Sequence, residues 1–542
     1  MKLRFLIGFA ITSFLFAIPG NLLATTPGRS LNVQLVGQNP LFNRGMNAGL
    51  AIYKNFVYIG SRTDASSICV PATAPPTNSG NTCPHVHPGV LIVDASNPAA
   101  PVVVGEIGPP NEGVVFLTSR ELRVIPQLKL LLVMNFQCSQ FLHACQAPLT
   151  TAEKAAASVF NINFYDLANP LNPVLVSRYV PTSFAGQQVK PHEMFLWVDP
   201  NNDNRVLLFL STPSLSASAT RPNLMIVDIS QARKGIFQEL AEINVDNQYP
   251  NTVGNPQYPF FTDSTGFHCG PYDCNLFVHS MGVKADGTQT YLAMEAGEFL
   301  VLDTSHVAAG VPNPQLTLLT NPVNRPIWGN PSPCNFTVAG TFDCPNGHSA
   351  VKVPSRQLAV TTDEIYGTYT DPTFGCNWGW ERIIDISDPT HPVIKGEYKI
   401  AEDSLPLSDP TCAASSLTEQ FTSFPSHNPT VLQDLALVDW HSGGLQISDI
   451  SDPTNPVQAG FFAPTPLTSV VTEDPALSRG PDKDVFWSYP IIKNGLIYAI
   501  DIRNGLYIMQ YTGPHANEVS DITFFEGNSN LGDAVDLDQN QQ

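Results

Sequence analysis

The chain has 542 residues and a formal net charge of −20, with 47 acidic and 27 basic side chains. This acidic balance argues against nucleic acid and anionic membranes as partners. The 48 prolines, the 37 glycines and the scarcity of long helical patterns favour an all-β chain rich in turns.

Residues 1–24 predict a signal peptide. Lys2 and Arg4 precede a long apolar run, and Ala24 offers a small residue for cleavage. Removing this segment takes two basic and no acidic side chains, which leaves a net charge of −22. No later run is long and apolar enough to span a bilayer. We therefore expect a secreted monomer, extracellular or periplasmic, without a transmembrane segment.

One repeated pattern organises the chain from about residue 31 to residue 513. Its clearest copy, Gly444 to Phe461, reads GLQISDISDPTNPVQAGF. Alternating residues predict a strand, Asp-Pro predicts a turn, and a second strand follows. Other copies begin at Gly89, Asn163, Asn223, Phe299, Glu381 and Gly505. The repeat aspartate recurs at 94, 166, 228, 303, 385 and 449, and Gln510 replaces it in the last copy.

Seven units of several strands each, with loops of variable length, predict a seven-bladed β-propeller of four-stranded blades over residues 25–513. The blades are expected at 45–108, 115–180, 190–245, 276–320, 347–400, 426–462 and 486–512. The last unit lacks an outer strand, and we expect Leu31 to Val36 to supply it and close the ring. The acidic tail, residues 514–542, is expected to be mobile.

The GLxIvDiSdPxxP pattern of these copies resembles the LVIVD-repeat family of secreted or surface β-propellers. The resemblance covers about residues 31–513. It implies the propeller fold and export of the protein, and it implies little about chemistry.

Ten cysteines in an exported chain predict disulfide bonds. Close spacing favours four pairs, and the last two cysteines pair by elimination. The predicted pairs are Cys69–Cys83, Cys138–Cys145, Cys269–Cys274, Cys334–Cys344 and Cys376–Cys412. Metal-binding cysteines are the alternative, although the chain has no CxxC pair. All ten cysteines fall in loops that a propeller places on one face, and such a face is where a ligand site is expected.

Four histidines occupy the same position at the start of successive inner strands. They are His192, His279, His348 and His427. In a propeller these positions meet at the axial mouth, where four imidazoles suit a transition metal such as zinc, copper or iron. The alternative is that these side chains only form hydrogen bonds between blades and fill the channel.

Other polar residues are expected near this mouth, many of them at the ends of second strands, where they can orient the histidines or contact a ligand. These are Arg62, Arg120, Glu121, Glu193, Glu295, Glu364, Asp439, His441 and Asp501.

Two functions follow from these patterns. The first is a binding module that holds a protein or small-molecule ligand on the loop face, with or without a metal at the histidines. The second is a metal-dependent enzyme, for which the position of the histidines is similar to that in the selenium-binding/methanethiol oxidase propellers. That weaker resemblance implies an oxidoreductase. The sequence assigns no catalytic residue, and nucleotide-binding and serine-hydrolase motifs are absent.

Overall fold

The structure of the chain is a computed structural model. The described residues are 28–63, 86–108, 117–137, 161–212, 222–245, 260–263, 266–269, 278–294, 297–321, 325–326, 328, 347–364, 379–406, 408–409, 424–471 and 483–539. Only the backbone is described for 260–263 and 266–269. The predicted signal peptide and the side chains of all ten cysteines lie outside the described residues, so export and the five disulfides stay predictions.

The N-terminal half consists of short antiparallel strands in the repeat order. Two leading strands are β1 (Arg29–Leu31) and β2 (Val33–Asn39). The first unit has β3 (Asn47–Tyr53), β4 (Phe56–Ser61), β5 (Val90–Asp94) and β6 (Val102–Ile107). The second has β7 (Leu117–Ile125), β8 (Leu130–Gln137), β9 (Asn161–Asp166) and β10 (Val174–Tyr179). The third has β11 (Met194–Asp199), β12 (Asn202–Ser211), β13 (Leu224–Asp228) and β14 (Gln238–Ile243), and a hairpin follows with β15 (Phe260–Asp263) and β16 (Gly266–Cys269).

The C-terminal half repeats this order four more times. The fourth unit has β17 (Val278–Val283), β18 (Gln289–Met294), β19 (Glu298–Asp303), the short helix α1 (Ser305–Ala308) and β20 (Thr317–Leu318). The fifth has β21 (Gly347–Lys352), β22 (Leu358–Asp363), β23 (Glu381–Asp385) and β24 (Val393–Tyr398). The sixth has β25 (Pro429–Val431), β26 (Leu435–Asp439), β27 (Leu445–Asp449) and β28 (Val457–Ala463). The seventh has β29 (Ile491–Lys493), β30 (Leu496–Asp501) and β31 (Gly505–Tyr511), before α2 (Ala516–Ser520), β32 (Phe524–Glu526) and α3 (Ala534–Gln539).

The strands form a β-propeller, but the expected count of seven separate blades is wrong for the described residues. Units three to seven form five separate blades of four or five strands. Units one and two form one eight-stranded sheet, in which the single pair Ser61–Ser119 joins β4 to β7. Gly60 permits this close approach, because a Cβ at that position would lie 2.1 Å from Ser119 O.

The leading segment closes the ring. Strand β2 pairs with β31 as the outer strand of the seventh unit, as the sequence predicts. Strand β1, which contains Leu31 of the predicted closing strand, instead extends the sixth blade by pairing with β28. Apolar residues of the seventh unit, such as Ile500, pack with those of the first, such as Leu50. The core therefore lies between neighbouring sheets and continues around the ring.

The tail, which the sequence analysis expects to be mobile, contains regular elements through Gln539 that pack against the propeller. Strand β32 pairs with the inner strand β29. The Asn530 side chain accepts a hydrogen bond from Val198 N (2.7 Å) and donates to Val198 O (2.7 Å). Phe525 and Leu531 are buried in apolar clusters between neighbouring blades. The burial of these apolar side chains and the hydrogen bonds of the Asn530 amide hold the tail against the propeller, although its composition is polar.

No helix in the described part of the chain is long and apolar enough to cross a membrane.

Candidate functional site

The structure brings the four predicted histidines together in one row. The ring centroids of His192 and His279 lie 4.4 Å apart, those of His279 and His348 4.0 Å, and those of His348 and His427 3.8 Å. His279, His348 and His427 are buried. Their common position in the repeat therefore places them around one axis, as the sequence analysis expects.

Local backbone geometry explains why these side chains reach the axis. The pairing of β17 with β18 shifts between Val278 and Ser280, so that His279 lies on a β-bulge. A similar shift between Gly347 and Ala350 includes His348. A bulge locally twists a strand and redirects the side chain that it carries. His192 and His427 precede their strands, and their backbone N–H groups donate to Ser211 O (2.8 Å) and Asp439 O (2.9 Å).

Glu364 lies at the centre of the histidines, directly after β22. Its Oε1 is 3.2 Å from His427 Nε2 and 3.3 Å from His441 Nε2. Its Oε2 is 3.6 Å from His348 Nε2 and 3.9 Å from His279 Nε2. We call Glu364 and these four histidines the axial His–Glu cluster. The sequence analysis expected Glu364 and His441 beside the four predicted ligands, and the structure brings both into one cluster with His427.

The neighbouring Asp363 shows how the chain selects one carboxylate for the axis. Its side chain accepts a hydrogen bond from Trp328 Nε1 (2.7 Å) and another from the Arg382 guanidinium. Adjacent residues at the end of a strand project to opposite sides. The sequence signal for Glu364 was therefore the pair of acidic residues, Asp363 and Glu364, at the end of β22. Asp363 forms contacts within the blade, and Glu364 faces the axis.

His441 has a strained backbone, with φ at 23°. Its ring stacks on Trp487, with centroids 4.7 Å apart and planes at 15°, and the Arg62 guanidinium lies 3.6 Å from the Trp487 ring centroid. Non-glycine residues in sparsely populated backbone regions persist where the surroundings fix them, and they occur often at functional sites. Arg62, predicted near the mouth, thus supports the cluster through Trp487.

Burial and mutual contact shift the pKa values of several groups in the cluster. Burial lowers the pKa of His279 to about 4, and burial likewise lowers the pKa of His441 to about 4, despite the nearby Glu364 charge. Burial alone would raise the pKa of Glu364, but the histidines, His427 first, hold that pKa well below its usual range. Neutral imidazole and ionised carboxylate are the forms that bind metal ions.

His192 lies at the end of the row and outside the ligand groups. It neighbours Phe136, with centroids 5.8 Å apart, and the Arg120 guanidinium lies 5.0 Å from that ring. Burial, followed by His279, lowers the pKa of His192 well below its usual value. In the described residues His192 joins no set of three ligating atoms within 4.8 Å of one another. It is therefore a neighbour of the cluster and not a member.

A polar layer lies next to the cluster along the inner strands. His348 Nδ1 is 2.8 Å from Ser349 Oγ, which donates to Asn428 Oδ1 (2.9 Å) and lies 3.4 Å from Tyr489 OH. These contacts fix the orientation of the His348 ring. They agree with the rule that a second ring of hydrogen bonds orients metal-binding histidines.

The other predicted residues divide between the channel and the blades. Glu121 pairs with Arg123 (3.4 Å), and burial followed by the Glu121 charge raises the pKa of Glu193 well above its usual range. Asp501 accepts from Arg503 N (2.8 Å) and Asn504 N (2.7 Å) of its own loop and from Val485 N (2.6 Å), so it joins this loop to the segment before β29. Burial, followed by the Asp501 charge, raises the pKa of Asp439 well above its usual range. Glu295 lies outside the described residues.

The sheets, the closed ring and the repeats define a β-propeller repeat protein. The family model of the LVIVD repeat matches residues 87–107, 382–400 and 434–463, which contain repeat strands of the first, fifth and sixth units. The chain therefore carries LVIVD repeats at these three places, and the predicted resemblance to the LVIVD-repeat family is confirmed. No curated protein matches it significantly.

Three solved structures are similar to this chain over most of its length. A crystal structure of the mitotic checkpoint complex has 8% identity and a TM-score of 0.37, and the match covers 94% of this chain and 99% of that chain. Chaetomium thermophilum Sqt1 bound to the N-terminus of ribosomal protein L10 has 11% identity and a TM-score of 0.39, with 88% and 90% covered. The Myceliophteria thermophila Cps50 (Swd1) β-propeller domain has 9% identity and a TM-score of 0.40, with 86% and 96% covered.

Proposed function

We propose that this protein is an exported β-propeller that binds a transition-metal ion at its axial mouth. The observation that carries the proposal is the convergence of four buried imidazoles on the buried carboxylate of Glu364. Zinc, copper and iron are the metals that such nitrogen and oxygen ligands favour. The predicted signal peptide supports export, and the LVIVD repeats fit a secreted or surface protein.

The metal-site hypothesis is favoured over histidines that only fill the channel. A channel-filling histidine is expected to have both ring nitrogens in hydrogen bonds, because an unmet buried polar atom costs about 1–3 kcal/mol. His427 is buried, and its Nδ1 has no hydrogen-bond partner among the described residues, while its Nε2 faces Glu364. A bound protein or small-molecule ligand and an oxidoreductase activity stay predictions beyond this metal centre.

The test is elemental analysis of the mature protein, purified without a polyhistidine tag, before and after incubation with zinc, copper or iron. We expect stoichiometric metal in the native protein and a loss of most of it in the His279→Ala/His348→Ala/His427→Ala variant. Circular dichroism establishes that the variant is folded. His391→Ala is the matched control, because His391 is exposed in a repeat turn of the fifth unit. A native protein without metal under all three conditions overturns the proposal.

A further inference from the structure

We propose that the axial His–Glu cluster binds two divalent first-row transition-metal ions, with Glu364 as the bridging carboxylate. This inference rests on the proposed metal-binding function. Each oxygen of Glu364 faces a different pair of histidines. Oε1 lies between His427 and His441, both of the sixth unit, and Oε2 faces His279 and His348, from the fourth and fifth units.

The ligand atoms form two groups rather than one. His279, His348 and Glu364 offer three atoms within 4.8 Å of one another, and Glu364, His427 and His441 offer a second such set. In the described residues the five side chains do not form a single set. Ligands of one ion, bonded at about 2.1 Å, are at most about 4.2 Å apart. A single ion therefore does not satisfy both pairs, whereas two ions on opposite oxygens of Glu364 do.

The distances within the groups agree with direct metal bonds. Two ligands of a tetrahedral ion with bonds of about 2.0–2.1 Å are separated by about 3.3 Å. The separations of Glu364 Oε1 from His427 Nε2 and His441 Nε2 are 3.2 and 3.3 Å. Those of Oε2 from His348 and His279 are 3.6 and 3.9 Å, so this second group must contract by a few tenths of an ångström on binding.

The two groups offer the same ligands, namely two imidazoles and one carboxylate oxygen. Two imidazoles and a carboxylate leave coordination positions open on iron or zinc, and paired ions in such sites lie about 3.5–4 Å apart. The adjacent rings His348 and His427, one from each group, have centroids 3.8 Å apart. The two groups are thus adjacent at His348 and His427, as two ions that share one carboxylate require.

The experiment must distinguish ions bound at the axial His–Glu cluster from an ion bound at a third group of possible ligands. Asp434, His515 and Glu518 also lie within ligand distance of one another, and they are partly exposed. Asp434 precedes β26 and His441 follows it, so the third group lies at the other end of the sixth blade. An ion bound there would be removed by His515→Ala and would leave the axial cluster unchanged.

The experiment is to strip the mature protein of metal and to titrate it with Zn²⁺, with the bound ions counted by elemental analysis after dialysis. Cu²⁺ is used in parallel for electron paramagnetic resonance. We expect two zinc ions in the native protein and in His515→Ala, and a half-field signal from two coupled Cu²⁺ ions. His279→Ala/His348→Ala and His427→Ala/His441→Ala are each expected to retain one ion and to lose the coupled signal.

The outcomes separate this inference from the proposed function. One zinc ion in the native protein, with an uncoupled copper spectrum, overturns the bridged pair and leaves the metal centre in place. No zinc and no copper overturns both proposals. Two ions that survive in both double variants lie elsewhere and also overturn both. Thermal unfolding of each variant shows that it is folded before its ions are counted.

Discussion

At the scale of single residues, the repeat aspartate performs the same task in six units. Asp449 Oδ1 accepts the backbone N–H of Ser451 at 3.0 Å, and the same bond to the residue two positions later recurs at Asp94, Asp166, Asp228, Asp303 and Asp385. A short acidic side chain that caps its own turn in this way ends the strand. The residue was recognisable in the sequence because its partner is local and requires no knowledge of the fold.

Glu381 gives a residue-scale prediction about pH. Its side chain is buried and accepts a hydrogen bond from Ser448 Oγ. Burial raises the pKa of Glu381 to about 8. A carboxyl group whose pKa is higher in the folded state contributes its full stability below its unfolded-state pKa. That contribution is lost as the pH rises through its folded-state pKa. Glu381→Gln should therefore be more stable than the native protein above pH 4.5. The difference should grow by about 1.4 kcal/mol per pH unit up to pH 8.

Urea unfolding at pH values from 5 to 9 measures this difference. Asp203→Asn is the control, because Asp203 is exposed in a hairpin. A difference between Glu381→Gln and the native protein that does not change with pH would contradict the protonated state of Glu381.

At the scale of elements, the tail connects sheets that the repeat itself does not join. Leu196 of the third blade forms a parallel bridge with Ser529, and Lys352 Nζ of the fifth blade lies 2.6 Å from Asp538 Oδ1. Gly527 N donates to Thr430 Oγ1 of the sixth blade at 3.0 Å. The tail therefore holds the inner strands together at the end of the ring away from the axial His–Glu cluster.

Asn530→Ala tests the tail. The substitution removes three hydrogen bonds, to Val198 N, Val198 O and Ala285 O, and leaves buried backbone groups without partners. We expect a loss of about 2–5 kcal/mol in the free energy of unfolding, since each unmet buried group costs about 1–3 kcal/mol. Chemical unfolding measures the loss, and Asp536→Asn, an exposed change in α3, is the control. Equal stability of the two variants would show that the tail does not support the ring.

At the scale of the whole molecule, one N-terminal segment joins the two ends of the chain. Strand β1 pairs with β28, the outer strand of the sixth unit, and β2 pairs with β31, the last strand of the seventh unit. Val33 is buried in the cluster between those units. The segment thereby covers two strand edges that would otherwise be free to pair with other molecules.

A chain that begins at Pro40 tests this closure. We expect it to unfold at a lower temperature and to associate, because the edges of β28 and β31 are exposed. A synthetic peptide of residues 28–39 should bind it and restore the monomer, and a scrambled peptide should not. Size-exclusion chromatography and thermal unfolding are the measurements. A truncated chain that remains monomeric and unfolds at the native temperature would refute the closure.

The sequence by itself determined the features that depend on local chemistry and on repetition. Alternating residues gave the strands, Asp-Pro gave the turns, and the shared position of His192, His279, His348 and His427 placed these side chains at one mouth. Each of these signals recurs from unit to unit, so that several copies support one prediction.

Only the tertiary structure decided which residues meet across units. Whether Asp363 or Glu364 reaches the axis depends on Arg382 and Trp328, which bind Asp363. The joining of the first two units into one sheet depends on the close approach of Gly60 to Ser119. The position of the tail depends on contacts with blades that are distant in the sequence, such as that of Asn530 with Val198. These outcomes are set by packing between distant segments, and the free energy of such contacts is not encoded in any local pattern.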